Sequence, residues 1–186
     1  MKRIWLIVPD GIATDNSGNI LELPSFVFAS ALDEVIKWHS STDVAYICPA
    51  NKFGGAKTEE EVAQKYLLEN GYTGNVVIFQ HNFDGSYIDT MKNFEILFSK
   101  LRYENIDINQ KFTLVCDRLH VYRVKQVMRK MSLQPVEIMT SKPNKKKHGN
   151  NIVKGLFYYN YPLLHAFYET LAIIYYVFKK PKYSAR

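Results

Sequence analysis

His120 and Arg123 stand three residues apart, a spacing that lets both share one face of a helix. Leu114-Val115-Cys116 just before them reads as a buried strand, so the pair falls in the first turns of the following helix. A helix start offers free N–H groups and partial positive charge. Arginine adds a planar fork for phosphate or carboxylate, and histidine moves a proton near neutral pH. Together they fit an anion clamp with His120 as the proton-transfer group. A capping histidine and a solvated arginine explain the same local pattern. On these local features alone the capping reading is the commoner one, and position at the carboxyl end of a strand is one argument for the clamp.

Other polar residues are expected near the same edge. Asp10 and Gly11 follow the first apolar run, where Gly11 suits a tight turn and Asp10 either binds a ligand or caps that turn. Thr90 and Asn93 are spaced i, i+3 beside an apolar stripe. They suit a ligand hydroxyl, or equally a helix cap and a buried amide. Asp117 can cap the helix of His120, or face a ligand. Asn51 and Lys52 lie in a loop with Gly54, Gly55 and Lys57, where Lys52 can take an anion and glycine lets N–H groups approach phosphate. Ala56 before Lys57-Thr58 breaks the P-loop pattern, and no GxGxxG occurs, which disfavours a standard nucleotide triphosphatase or dinucleotide enzyme. A Cys116/His120 nucleophile pair competes with cysteine as a small buried apolar residue. His39, His81, His148 and His165 have no metal-ligand spacing, so no metal is expected.

The elements that must position these residues follow from periodicity. Apolar runs at Arg3–Val8, Asp43–Cys48, Asn75–Gln80, Phe112–Cys116 and Val136–Met139 read as five strands, the third buried on both faces. Amphipathic stretches between them read as helices. One opens at Pro24 with a stripe through Val27, Ala31, Val35 and Trp38. The next carries a capping box at Thr58/Glu61 and ends at Asn70-Gly71. A third starts at Ser86 or Asp89, with a stripe from Tyr87 to Leu101. A loop is expected through Gly18, and a basic loop over 141–155. The last helix, about 162–178, is apolar nearly all round and is expected to be buried. Its alternative is weak contact with a membrane surface through an aromatic belt and the lysines that follow.

Alternation of this kind predicts an α/β fold with three layers. It is Rossmann-like, with a mostly parallel sheet of about five strands, helices on both faces, and one domain over residues 1–186. The 186 residues are 47% hydrophobic and 23% charged, which supports a core and argues against disorder. A net charge of +6 mildly favours anionic partners, and without aromatic-basic interleaving it disfavours nucleic acid. The first apolar run is too short for a signal peptide or a transmembrane segment. Two cysteines without a CxxC form neither a disulfide framework nor a zinc set, which points to a reducing, cytoplasmic compartment.

Several segments, taken in order, resemble the YdcF/SanA/ElyC-like family. They are Thr58-Glu59 with Tyr66-Leu67 and Gly71; Asp89-Thr90-Met91-Lys92-Asn93; Leu114 through His120 to Arg123; and Glu169-Thr170-Leu171-Ala172 with Tyr175-Tyr176. The resemblance spans nearly the whole chain and implies a Rossmann-like fold. It also implies a link to cell-envelope processes and a role for Glu59 in catalysis. The ligand it implies is S-adenosylmethionine or another nucleotide-like or phosphorylated molecule. SanA-like and ElyC-like members carry an N-terminal membrane segment, and this chain looks more like the soluble YdcF type. Lys92 stands where the family has Glu, Cys116-Asp117 where it has Thr-Ser, and Pro49-Ala50-Asn51 where it has Ser-Gly-Gly. Those departures keep open a non-catalytic module that senses a ligand or binds a partner.

Overall fold

Ile4-Trp5-Leu6-Ile7 is apolar at every position, as a strand covered on both faces requires. In the computed structural model, which describes residues 2–80, 86–107 and 111–181, it forms β1 (Ile4–Ile7) at the centre of a parallel sheet. β4 (Val44–Ile47) and then β5 (Asn75–Val77) lie on one side; β6 (Thr113–Asp117) and then β7 (Glu137–Ser141) lie on the other. Leu6 stands opposite Tyr46 and Leu114, so all three point to one face. There Leu6, Leu114 and Cys116 pack against α3 (Thr90–Tyr103) and α4 (Val121–Lys130). Trp5, Ile7, Ala45, Ile47 and Val115 point the other way, onto α1 (Phe26–Trp38) and α2 (Glu59–Glu69). The result is the three-layer α/β, Rossmann-like arrangement.

The chain builds outward from β1 to β5, then returns to place β6 on the other side of β1. The crevice beyond the carboxyl ends of β1 and β6 is therefore the topological switch point, where such sheets take ligands. Side chains fix the helices that border it. Ser25 Oγ accepts from the N–H of Phe28 at 3.1 Å, so Ser25 rather than Pro24 starts α1. Thr58 and Glu61 form the reciprocal capping box of α2, and Gly71 just past its end has φ +93°. Asp89 caps α3 by accepting from the N–H of Lys92 at 3.0 Å.

Several expectations need correcting. The stretch to Gly18 is not a plain loop: β2 (Ile12–Thr14) and β3 (Ile20–Pro24) form a hairpin. Its turn residues had masked it, because the Asp15 carboxylate closes the turn by accepting from the N–H groups of Ser17 and Asn19, both at 2.8 Å. The region 141–155 is structured too. α5 (Lys145–His148) leads to β8 (Asn151–Ile152), which pairs with β2 in a small antiparallel sheet ordered β3-β2-β8. β5 is shorter than expected and, as an edge strand, only half-buried. Trp38 and Tyr87, assigned to apolar stripes, are more than half exposed. Asp117 does not cap α4; its Oδ1 accepts from the N–H of Leu119 at 2.9 Å and closes the preceding turn.

The largest correction concerns α6 (Pro162–Phe178), which follows a 3₁₀ segment at Lys154–Asn160. Its boundaries are as expected, but it is not a buried helix. Only His165, Glu169 and Tyr176 are buried, while Leu163 is 88% and Phe178 79% exposed. The polar side faces inward because Glu169 answers a buried guanidinium on α4. His81 and Lys182 lie outside the described residues, and no described helix is long and apolar enough to cross a membrane.

Candidate functional site

Gly11 carries the chain from β1 into β2 with φ +93°, a conformation L side chains rarely adopt. A Cβ there would sit 2.8 Å from the Leu156 Cδ1 methyl, so any larger residue must displace that side chain as well as bear the backbone strain. The turn leaves Asp10 at the carboxyl end of β1, buried and facing the turn after β6. That turn, closed by Asp117, delivers His120 from the neighbouring strand. His120 Nδ1 lies 2.5 Å from Asp10 Oδ1, two residues 110 positions apart in sequence. A carboxylate can only accept, so Nδ1 donates, and in the neutral ring Nε2 is then the acceptor. Nε2 is 3.2 Å from the hydroxyl of Thr90, the first residue of α3. Arg123 Nη1 donates to that same hydroxyl at 2.8 Å. Donation therefore runs in one direction, from Arg123 to Thr90 to His120 to Asp10.

Both ends of this chain are held. Asp10 Oδ1 also accepts from the Tyr159 hydroxyl at 2.8 Å, and Oδ2 from the N–H of Asp117 at 3.3 Å. Burial and the charge of Asp10 push the Tyr159 phenol well above its ordinary range, so it remains a donor. Arg123 donates from Nε and Nη2 to the two oxygens of Glu169, each at 2.8 Å. Burial pushes Glu169 up, but the guanidinium of Arg123 and its hydrogen bonds outweigh this and hold the carboxyl down at about 2. His165 Nε2 lies 3.4 Å from Glu169 Oε1.

Glu59 staples the two loops on the other side. Its carboxyl oxygens accept from the N–H of Gly11 at 2.6 Å and of Asn51 at 2.9 Å. Burial, with the nearby charges of Glu60 and Asp10, pushes Glu59 up to about 8 against the pull of those two N–H groups. Asn51 clamps the segment before α3, donating to Ile88 O at 2.9 Å and accepting from Ile88 N at 2.8 Å.

Asp10, Gly11, Asn51, Glu59, Thr90, Asn93, His120 and Arg123 line one cavity of about 20 Å³, the size of a single water. Asn93 Oδ1 is buried there with no hydrogen-bond partner among the described residues. Two expected side chains do not reach its wall, although the Asp117 backbone N–H contacts Asp10. Lys52 is half-buried in its loop and off the cavity wall. Asp117 lines a separate cavity of about 210 Å³ with Arg118, Lys142 and Lys145. Arg123 is present, but its fork is taken by Glu169 and Thr90 rather than left open to a ligand. Cys116 lies in the core between the layers, and burial pushes its thiol far up, which removes it as a nucleophile.

Tyr87 joins this cavity to two larger clefts. One, of about 370 Å³, is walled by Tyr87, Arg123, Tyr168, Leu171, Tyr175 and Tyr176. The other, of about 550 Å³, is lined by Lys92, Lys100, Lys179 and Lys180 with Asp89 and Glu95. Lys92 points to Ser86 Oγ at 2.8 Å, and Lys179 pairs with Asp89. Sequence reading gave no site role to Tyr159, His165 or Glu169. The i, i+4 placement of His165 and Glu169 in an otherwise apolar helix was a usable signal; nothing local marked Tyr159. Among the described residues no cluster of three or more His, Cys, Asp or Glu is arranged to hold a metal. In comparisons with known proteins the chain matches no family model, no curated protein and no solved structure.

Proposed function

We propose that this chain is a YdcF-like small-molecule enzyme, a hydrolase or transferase acting on an anionic ligand at the carboxyl edge of its sheet. The observation that carries this reading is the one-way hydrogen-bond chain from Arg123 to Asp10, in which the His120 Nε2 lone pair accepts from Thr90 at the wall of the water-sized cavity. In that role the Thr90 hydroxyl turns away from His120 Nε2, and a water or acceptor hydroxyl takes its place and gives that nitrogen its proton as its oxygen bonds to the electrophile. Asp10 steadies the imidazolium, which then returns the proton to the leaving group. Arg123 positions Thr90, and the ligand's negative charge falls to the lysine-lined cleft. The tyrosine-walled cleft suits a flat ring, in line with a nucleotide-like or adenosyl-containing ligand such as S-adenosylmethionine. A cytoplasmic setting goes with this reading, supported by two buried, unpaired cysteines.

A second reading, a ligand-sensing or interaction module linked to the cell envelope, is favoured by Lys92. It stands where the resembled family has Glu, and it faces Ser86 rather than the cavity. One experiment separates the two. A panel of nucleotides and phosphorylated metabolites is screened by thermal shift, and hits are incubated and analysed by mass spectrometry. The enzyme reading expects a ligand whose turnover His120→Gln lowers roughly 10²- to 10⁴-fold while its thermal shift persists. Binding without turnover in the wild type supports the sensor. Equal shifts in wild type and Lys100→Ala/Lys180→Ala overturn the cationic cleft as the ligand's seat.

A further inference from the structure

We propose that the outer face of α6, part of which also walls the tyrosine-lined cleft, seats this protein on an anionic membrane surface. Leu163, Phe167, Leu171, Ile174, Tyr175 and Phe178 recur at spacings of three and four, and each is at least half exposed. They form one apolar stripe along a helix of 17 residues, roughly 25 Å. A contiguous exposed stripe of that length marks an interaction surface rather than scattered surface apolars. The single carboxylate of α6, Glu169, is turned inward and paired with Arg123, so the outer face carries no negative charge.

Positive charge borders the stripe. α4 runs beside α6 in the same direction: Arg123 meets Glu169, and Lys130 Nζ reaches Val177 O and Lys179 O. The outer side of α4 and the turn before it expose Arg118, Lys125 and Arg129, and Lys180 is exposed beyond the end of α6. The sequence itself is polarised. From Arg118 onward lie fourteen of its 24 Lys and Arg but two of its 18 Asp and Glu, Glu137 and the buried Glu169. An apolar stripe with aromatic rings, bordered by cations on its α4 side and with the neighbouring Asp89 paired to Lys179, matches a bilayer interface bearing anionic headgroups. A second copy is the poorer occupant. Apposing two such faces would set Arg118, Lys125 and Arg129 of each against cations of the other, and the nearby carboxylate of Asp89 is already paired with Lys179.

The test is cosedimentation of the full chain with phosphatidylcholine vesicles, plain or mixed with phosphatidylglycerol, at low and high salt. Expected is binding to the mixed vesicles that weakens with salt. Phe167→Glu/Ile174→Glu should lower partitioning by roughly tenfold or more, with circular dichroism and melting temperature unchanged. Lys125→Glu/Arg129→Glu, which leaves the stripe intact, should remove the preference for phosphatidylglycerol. The proposal is overturned by no binding to mixed vesicles, by equal binding to both compositions, or by binding that Phe167→Glu/Ile174→Glu leaves unchanged. It is also overturned if analytical ultracentrifugation finds a dimer that this variant dissociates.

Discussion

Glu169 does two jobs with one carboxylate: it neutralises a buried guanidinium and fixes the arm that reaches Thr90. Replacing it by glutamine leaves Arg123 charged, buried and short of its counter-ion. The expected cost is about 3–5 kcal/mol, read as a lower midpoint in urea. The same pair sets an acid limit. Because the folded carboxyl is held at about 2, below its ordinary 4.5, its contribution is complete above 4.5 and is lost as pH falls through about 2. Wild type should therefore lose stability across that window, and Glu169→Gln should lose less of it. Parallel denaturation curves for the two proteins over pH 2–5 would contradict the pairing.

At the scale of elements, what could be read in advance was what neighbours in sequence decide. The capping box of α2 closes within four residues, Thr58 to Glu61, and was legible for that reason. Thr58→Ala should cost about 0.5–2 kcal/mol, measured by chemical denaturation, with the cavity unchanged. α6 was legible in extent and not in orientation. A helix apolar nearly all round offers no preferred face, and its inward side is chosen by an arginine 46 residues earlier. The hairpin β2–β3 was missed because Asp15 and Gly18 signal a turn equally well in a loop and between two strands. Of the site, the segments ending β1 and β6 were identifiable from the rule that ligands gather at strand carboxyl ends. The hydroxyl of Tyr159, 149 residues from Asp10, had no local signature. Arg123 was identified as a site residue but assigned to a ligand, since spacing alone does not reveal a carboxylate on another helix.

Across the whole molecule, the two sheets differ in what covers them. β1 and β6 are buried on both faces, whereas in the small sheet β2 alone is buried throughout, β3 alternates half-buried and exposed residues up to Pro24, and β8 has two residues. Native-state hydrogen exchange should find the amides of Leu6, Ile7, Leu114 and Val115 opening only with global unfolding, and those of β3 opening more readily. Equal protection in both sheets would contradict this division. The bond from Tyr159 to Asp10 has a temporal consequence. As the polypeptide leaves the ribosome, all five strands of the main sheet emerge before Tyr159 and Glu169 do. Until those two arrive, the guanidinium at 123 has no counter-ion and the aspartate at 10 lacks one of its donors. A chain interrupted before Tyr159 would therefore carry the five-stranded scaffold without the contacts that complete the surroundings of Asp10 and Arg123.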